Sequence, residues 1–273
     1  MPPARQKQPV RPVNPDLPEN RVGKGRLRIT ALSFENTRFV IIGASGGIGS
    51  ALSRRLKSHG AQPILLGRSA AKLALLGEEL GAQTQVLDAS KADELEHAVA
   101  AFGPINGIVN CAGSILLKPA HLTTEAEWKQ TIETNLTTAY ATVRAGAQAL
   151  WSTGGSIVLC ATAAARTGLA NHEAIAAAKG GVVGLTLSAT ATYAPRNIRV
   201  NCVAPGLVDT PLAARITSNE AAMKASGAMH ALGRIGRPDD VASGIAWLLD
   251  PENSWVTGQI LGIDGGLGTV RSR

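Results

Sequence analysis

Gly43-Ala-Ser-Gly-Gly-Ile-Gly49 follows a short apolar run and opens a stretch with helical periodicity. Glycines so spaced between a strand and a helix turn backbone N–H groups toward a pyrophosphate. Gly43 permits the tight turn, Gly47 lets the backbone approach the phosphates, and Gly49 allows close helix–strand packing. The second apolar run ends in Leu66-Gly-Arg-Ser69. A carboxylate at that end would bind ribose hydroxyls and repel a 2′-phosphate. None stands here. Arg68 offers a planar cation suited to phosphate, and Ser69 a further hydrogen bond. NADP(H) is therefore favoured over NAD(H), against the reading of Arg68 as a solvated surface arginine.

Such residues need a frame that gathers strand ends. Apolar runs at Arg38–Ile42, Pro63–Leu66, Gln85–Leu87, Gly107–Asn110, Ser156–Cys160, Ile198–Val203 and Gln259–Ile263 read as strands. Helical stretches alternate with them at Ile48–His59, Ala70–Leu80, Ala92–Phe102, Glu125–Leu150, His172–Tyr193 and Pro238–Leu249. That alternation predicts right-handed βαβ units and one doubly wound parallel sheet with helices on both faces, an α/β Rossmann fold over residues 34–273. Ligands of such sheets sit at the carboxyl ends of the strands, where strand order reverses.

Composition agrees with a compact domain: 45% of residues are hydrophobic and 17% charged. Aromatics are only 3%, so the core must come from Ala, Leu, Ile and Val. The net charge of +7 is uneven. Residues 1–30 carry seven basic side chains against Asp16 and Glu19, with six of the fourteen prolines. Residues 1–33 read as a flexible basic arm, with no apolar run for a secretory signal or a membrane span. Neither a membrane nor a nucleic-acid partner is expected. The three cysteines, Cys111, Cys160 and Cys202, lack metal-ligand spacing, so no metal site is expected and a reducing cytoplasm is.

The G-x-x-x-G-x-G spacing resembles that of the short-chain dehydrogenase/reductase family, and three later segments agree. Asn110-Cys-Ala-Gly113 matches the family's Asn-Asn-Ala-Gly. Asn201-Cys-Val-Ala-Pro-Gly206 with Val208-Asp-Thr-Pro211 matches its segment beside the nicotinamide, and Val256–Gly266 its last strand and turn. The resemblance covers about residues 36–268. It implies that Gly43, Ser45 and Ile48 line the pyrophosphate and that Asp88 meets the adenine. It places Asn110 and Gly113 along the ribose, Pro205 and Gly206 beside the nicotinamide, and Val208 and Thr210 near the carboxamide. The family's second basic position, just before the second glycine, holds uncharged Gly46.

The family's catalytic residues are an asparagine, a serine, a tyrosine and a lysine. By resemblance Asn135 is the asparagine, which in relatives holds a water linked to the lysine. Thr162 stands for the serine and keeps its hydroxyl. Lys179 is the lysine, expected to grip the nicotinamide ribose. Where the tyrosine should stand, four residues before Lys179, is Ile175. Isoleucine moves no proton, and general acid catalysis is worth roughly 10²–10⁴ in rate. At about 100° per residue, His172, Ile175 and Lys179 share one helix face. His172 is thus a candidate acid, with a solvent-facing helix-start histidine as the plain alternative. Glu173 points away from that face. Lys179 and a water held by Asn135 are further donors.

Three functions follow. The first is an NADP(H)-dependent oxidoreductase with a non-standard proton relay, acting on a small carbonyl, imine or activated alkene. The second is a catalytically silent NADP(H)-binding protein, and the third a non-redox enzyme on the same fold. Residues Thr210–Arg234, with Leu212, Ile216, Met223 and Met229, suggest an apolar pocket wall. Family members are commonly tetramers, so a homo-oligomer, tetramer or dimer, is expected, with Thr138–Leu150 and Ile260–Gly268 at interfaces.

Overall fold

The computed structural model describes residues 33–270; the basic arm read over residues 1–33 lies, but for Ser33, outside them. In chain order the elements are β1 (Arg38–Ile42), α1 (Gly47–Ser58), β2 (Gln62–Gly67), α2 (Ala70–Leu80), β3 (Gln83–Val86), α3 (Ala92–Ala101) and β4 (Gly107–Asn110). There follow α4 (Glu125–Ile132), a π-helical turn (Glu133–Thr137), α5 (Thr138–Ala149), β5 (Gly155–Cys160), α6 (Glu173–Tyr193) and β6 (Ile198–Pro205). The chain closes with α7 (Ala214–Thr217), α8 (Glu220–Met229), α9 (Pro238–Leu249) and β7 (Ile260–Ile263). The seven strands form one sheet in the order β3-β2-β1-β4-β5-β6-β7. Every pairing is parallel.

Alternate residues of each strand feed two cores. Val40, Ile64, Ile108 and Ile157 pack beneath α3, α5 and α6. Phe39, Leu65, Val109 and Val158 pack beneath α1, α2 and α9. Strands buried on both faces must be apolar throughout, which is why short continuous runs marked them. The scarcity of aromatics is met by close approach rather than bulk. Gly146 lets α5 lie tight on the sheet: a Cβ there would fall 2.6 Å from the Ile108 side chain. Each fully buried Leu or Ile contributes about 1.5–3 kcal/mol.

Two expectations are revised. β3 starts two residues early, at Gln83, because an exposed polar edge strand takes its bounds from pairing with Ile64–Gly67, not from an apolar run. The single helix read over Glu125–Leu150 is α4 and α5 joined by the π-helical turn, where Thr138 N–H donates to Glu133 O. Such turns cluster at functional sites. Helix α6 is long and apolar enough to cross a membrane by composition alone. Here it packs on β6 and carries the buried Lys179.

Asn110 fastens the end of β4 to α5. Its Nδ2 donates to Thr142 Oγ1 (3.1 Å) and Thr138 Oγ1 (3.3 Å), and its Oδ1 accepts the Ala112 N–H (2.8 Å). It is 2% exposed, so no water replaces those bonds. Asn110→Ala leaves the Ala112 N–H without its partner and should cost about 1–3 kcal/mol in urea unfolding at unchanged m. A loss below about 0.5 kcal/mol would mean that the loop after β4 re-forms its bonds unaided.

Candidate active site

Strand order reverses between β1 and β4, and the loops leaving those two strands part there. A cavity of about 590 Å³ opens between them. Gly43, Ser45, Gly47, Ile48, Gly49, Arg68, Ser69, Asp88, Gly113 and Thr210 all line it. Gly43 has φ +75°, and a Cβ there would strike Ala112 N at 2.7 Å, so no other residue fits the turn. A Cβ on Gly47 would fall 2.6 Å from Thr210 Cγ2, which puts the loop after β6 directly over the turn. Helix α1 starts at Gly47, its cap residue Gly46 offers no side chain, and no acidic residue stands in its first turn. Its free N–H groups suit an anion. A bare turn, an uncapped helix end and an elongated cavity together fit a dinucleotide's pyrophosphate.

At the far end of the cavity Ser69 caps α2 by position only, since its hydroxyl makes no capping bond. Helix α2 also has no acid in its first turn. Arg68 and Lys72 line the cavity, and neither has an ion-pair partner among the described residues. Lys72 escaped the sequence reading, although a position three residues after Ser69 in the first turn of a helix was a usable signal. Asp88 accepts the Ser90 N–H at 3.0 Å. That bond, helped by Arg68 and Lys91, holds its carboxyl below the usual range. Glu133 and Ser90 also face this space and carried no sequence signal.

Beyond Gly113 the cavity meets a second group. A side chain at Gly113 would come within 3.0 Å of Asn135 Oδ1 and 3.5 Å of Lys179 Nζ. Asn135 sits in the π-helical turn, 1% exposed. Its Nδ2 donates to Thr131 O and to Ser114 Oγ, both at 2.9 Å, and its Oδ1 accepts the Ser114 N–H at 3.1 Å. Lys179 is 6% exposed, donates to Cys160 O at 2.6 Å, and has no carboxylate partner among the described residues. A buried cation held only by a carbonyl is costly, so its place is set by something other than stability. Cys111 lines the cavity nearby, but burial pushes its thiol well up, so it is no nucleophile near neutral pH.

Several candidates lie outside the cavity lining. Asn110 is the fastener described above. Thr162 Oγ1 accepts the Ala164 N–H (3.3 Å) and reaches Pro205 O at 3.5 Å, leaving the hydroxyl loosely held. Pro205 ends β6, the Gly206 N–H donates to Ile263 O, and buried Val208 bridges to Gly236. Ile175 is 5% exposed, one turn before Lys179. His172 departs from the expected geometry. The helix begins at Glu173, and His172 precedes it with φ −110° and ψ 11°. Its Nδ1–H donates to Ala170 O at 2.7 Å, which ties the ring to the preceding turn. The helical-wheel argument therefore stops one residue short of it. His230, unread in the sequence, is 3% exposed and accepts the Leu207 N–H at Nε2 (3.2 Å) while Nδ1–H donates to Ser226 O (2.7 Å). It pins the segment after β6 to α8. Leu212, Met223 and Met229 are exposed and Ile216 half-buried on the residues between.

Known proteins are similar to this chain in sequence and in fold. Residues 43–268 match the sequence model of a family described as enoyl-(acyl carrier protein) reductase. A cis-4-hydroxycyclohexanecarboxylate dehydrogenase of Sinomonas cyclohexanicum is 36% identical over 248 residues, covering 87% of this chain and 99% of that protein. A 3-oxoacyl-(acyl-carrier-protein) reductase of Chlamydia muridarum is 30% identical, covering 85% and 97%. The solved structure of a short-chain type dehydrogenase/reductase from Mycobacterium ulcerans superposes with TM-score 0.83 at 29% identity, covering 88% of this chain and 93% of that one. Alike in sequence and in fold over nearly all of its described length, the chain belongs to the short-chain dehydrogenase/reductase family and is an oxidoreductase of that type.

Proposed function

We propose that this oxidoreductase uses NADP(H) on a small carbonyl, imine or activated alkene, and that its proton relay works without a tyrosine. The cofactor assignment rests on the end of β2. Arg68, Lys72 and the uncommitted Ser69 hydroxyl face the cavity, and no carboxylate stands in that turn. A 2′-phosphate offers these groups charge-assisted hydrogen bonds, whereas a bare ribose offers them no charge. The carbonyl class draws support from two relatives whose names describe a ring-alcohol dehydrogenase and a 3-oxoacyl reductase. Both work on an alcohol–ketone pair.

The bound nicotinamide supplies or accepts the hydride; the chain's residues handle the oxygen and its proton. The Thr162 hydroxyl is free enough to donate to a substrate oxygen. Ile175, in the place resemblance gives the tyrosine, is buried hydrocarbon and has no proton to give. Lys179 is the proton donor in this reading. It is buried, its Nζ would lie 3.5 Å from a side chain placed at cavity-lining Gly113, and two of its three N–H bonds are uncommitted. One observation keeps His172 as the second reading: with Nδ1–H fixed on Ala170 O, Nε2 is the ring atom left without a partner among the described residues. An iminium ion would need the least help, since hydride adds to its carbon and leaves a neutral amine with no new anion to protonate. We further infer a homo-oligomer, supported by exposed Tyr140 and Trp151 at α5 and Trp247 and Trp255 near β7. Three free cysteines support a reducing, cytoplasmic setting.

Fluorescence titration should give a lower Kd for NADPH than for NADH. Arg68→Ala should shrink that ratio by about tenfold or more, since charge-assisted bonds are worth about 1.5–3 kcal/mol. Equal affinities in the unmodified protein would sink the NADP(H) assignment. A screen of ketones, imines and enones then supplies a substrate. At saturating NADPH, Lys179→Met should lower turnover by about 10² or more, and His172→Ala by less than about threefold. A tenfold loss on His172→Ala with unchanged NADPH binding would move the acid to His172. Ile175→Tyr should raise carbonyl reduction if substrate docks as the family resemblance implies.

A further inference from the structure

Two backbone groups dictate the charge of His230. Leu207 N–H can only donate, and it meets Nε2 at 3.2 Å, so Nε2 carries no proton. Ser226 O can only accept, and it meets Nδ1 at 2.7 Å, so Nδ1 carries the one proton of the ring. The imidazole is therefore neutral and held in a single tautomer. It sits in a slot cut by two glycines. A Cβ on Gly206 would fall 2.5 Å from Nε2, and one on Gly265 would fall 3.4 Å from the histidine Cβ. At 3% exposure the ring has little access to water that could replace either partner.

Leu207 begins the stretch that reaches the cofactor cavity. Thr210, Pro211 and Leu212 line that cavity, and the Thr210 side chain lies against Gly47 of the glycine turn. Gly236 holds the stretch on one side: its N–H donates to Leu207 O, and its O accepts the Asp209 N–H. His230 holds Leu207 on the other. A proton on Nε2 would set N–H against N–H and break that bond. It would also leave a buried cation, which is costly without a partner. The charged groups on the surrounding elements are Asp209 after β6, Asp264 after β7, Glu220 and Lys224 on α8, and Arg234 beyond it. None forms an ion pair with His230 among the described residues. The Asp264 carboxylate accepts the Gly266 and Gly268 N–H groups, and Arg234 pairs with Asp240. Histidine is the side chain that changes charge between about pH 5 and 8.

We propose that His230 is a positioning residue that ties dinucleotide affinity to pH. Its neutral ring holds Leu207–Leu212 against the glycine turn, and a proton on Nε2 releases that stretch. The inference rests on the dinucleotide occupying this cavity. Binding then draws on the neutral ring, so acid weakens it. The link runs both ways, since a bound dinucleotide must disfavour the proton by the same factor.

The test measures NADP⁺ affinity by calorimetry in the full chain, from about pH 8 down to about pH 5.5. Two variants separate the states of the ring. His230→Gln keeps an acceptor for the Leu207 N–H and does not titrate. His230→Asn keeps an amide N–H for Ser226 O and offers Leu207 nothing. Over this interval the wild-type Kd should rise about fivefold more than that of His230→Gln, the worth of one such hydrogen bond. The 2′-phosphate also titrates here, but equally in both proteins, so the comparison removes it. His230→Asn should already bind about fivefold more weakly at the alkaline end and follow the shallower slope of His230→Gln. In the wild type labelled with ¹³C-histidine, saturating NADP⁺ should move the His230 titration to lower pH. That signal is assigned by its absence from either variant. Parallel Kd curves in wild type and His230→Gln, or a His230 titration that NADP⁺ leaves in place, overturn this inference alone. A wild-type protein that binds neither NADP⁺ nor NAD⁺ at the alkaline end overturns the cofactor reading and this one with it.

Discussion

Everything at the site depends on one close approach, that of the turn after β1 to the loop after β4. Gly43 has a left-handed backbone, and Ala112 N would lie 2.7 Å from any side chain placed there. Two parallel strands at the reversal of strand order can be that close only if the first loop carries no Cβ. The approach turns the start of α1 toward the cavity with its N–H groups open. It also brings the Cys111–Ser114 loop across the same space. The glycine turn and the loop after β4 are thus two sides of one contact. The Asn110 amide then locks that loop to α5 from below.

The second constraint is electrostatic. Lys179 sits in the interior on a single carbonyl bond, where a structural lysine would find a carboxylate. The π-helical turn answers part of that strain on the proton side. It sets Asn135 in the wall, and Asn135 orders Ser114 with a reciprocal pair of hydrogen bonds. The fold therefore sets backbone irregularity and a buried charge together beside Gly113. Local breaches of ordinary rules gather where function is.

What the sequence made legible follows from which signals are local. The glycine turn, Arg68, Ser69 and the buried strands were readable, because each is set by a short spacing or an apolar run. The β1 and β4 bounds read there are those of the structure, as are those of α2, which closes at Gly81 in the left-handed region. The π-helical turn was not readable, since no periodicity marks one inserted residue in a long helix. Ser114 and His230 were invisible because each matters only through a partner more than twenty residues away. His172 shows the opposite failure. Helical spacing predicted its face, but helical geometry does not extend past the first residue of the helix.

The isoleucine at position 175 then reads as a division of labour. A tyrosine acts as acid and as hydrogen-bond donor on one atom. Its resemblance-based position here holds buried hydrocarbon, so the two tasks must sit on different groups. On the proposed reading Thr162, with its loosely held hydroxyl, would bond the oxygen, and Lys179, with one bond to Cys160 O, would give the proton. On that reading the pairing would favour substrates whose reduction leaves no strong base to protonate, such as iminium ions and activated alkenes. The protein's selectivity would then be set less by the shape of its apolar rim than by how urgently each substrate needs its proton.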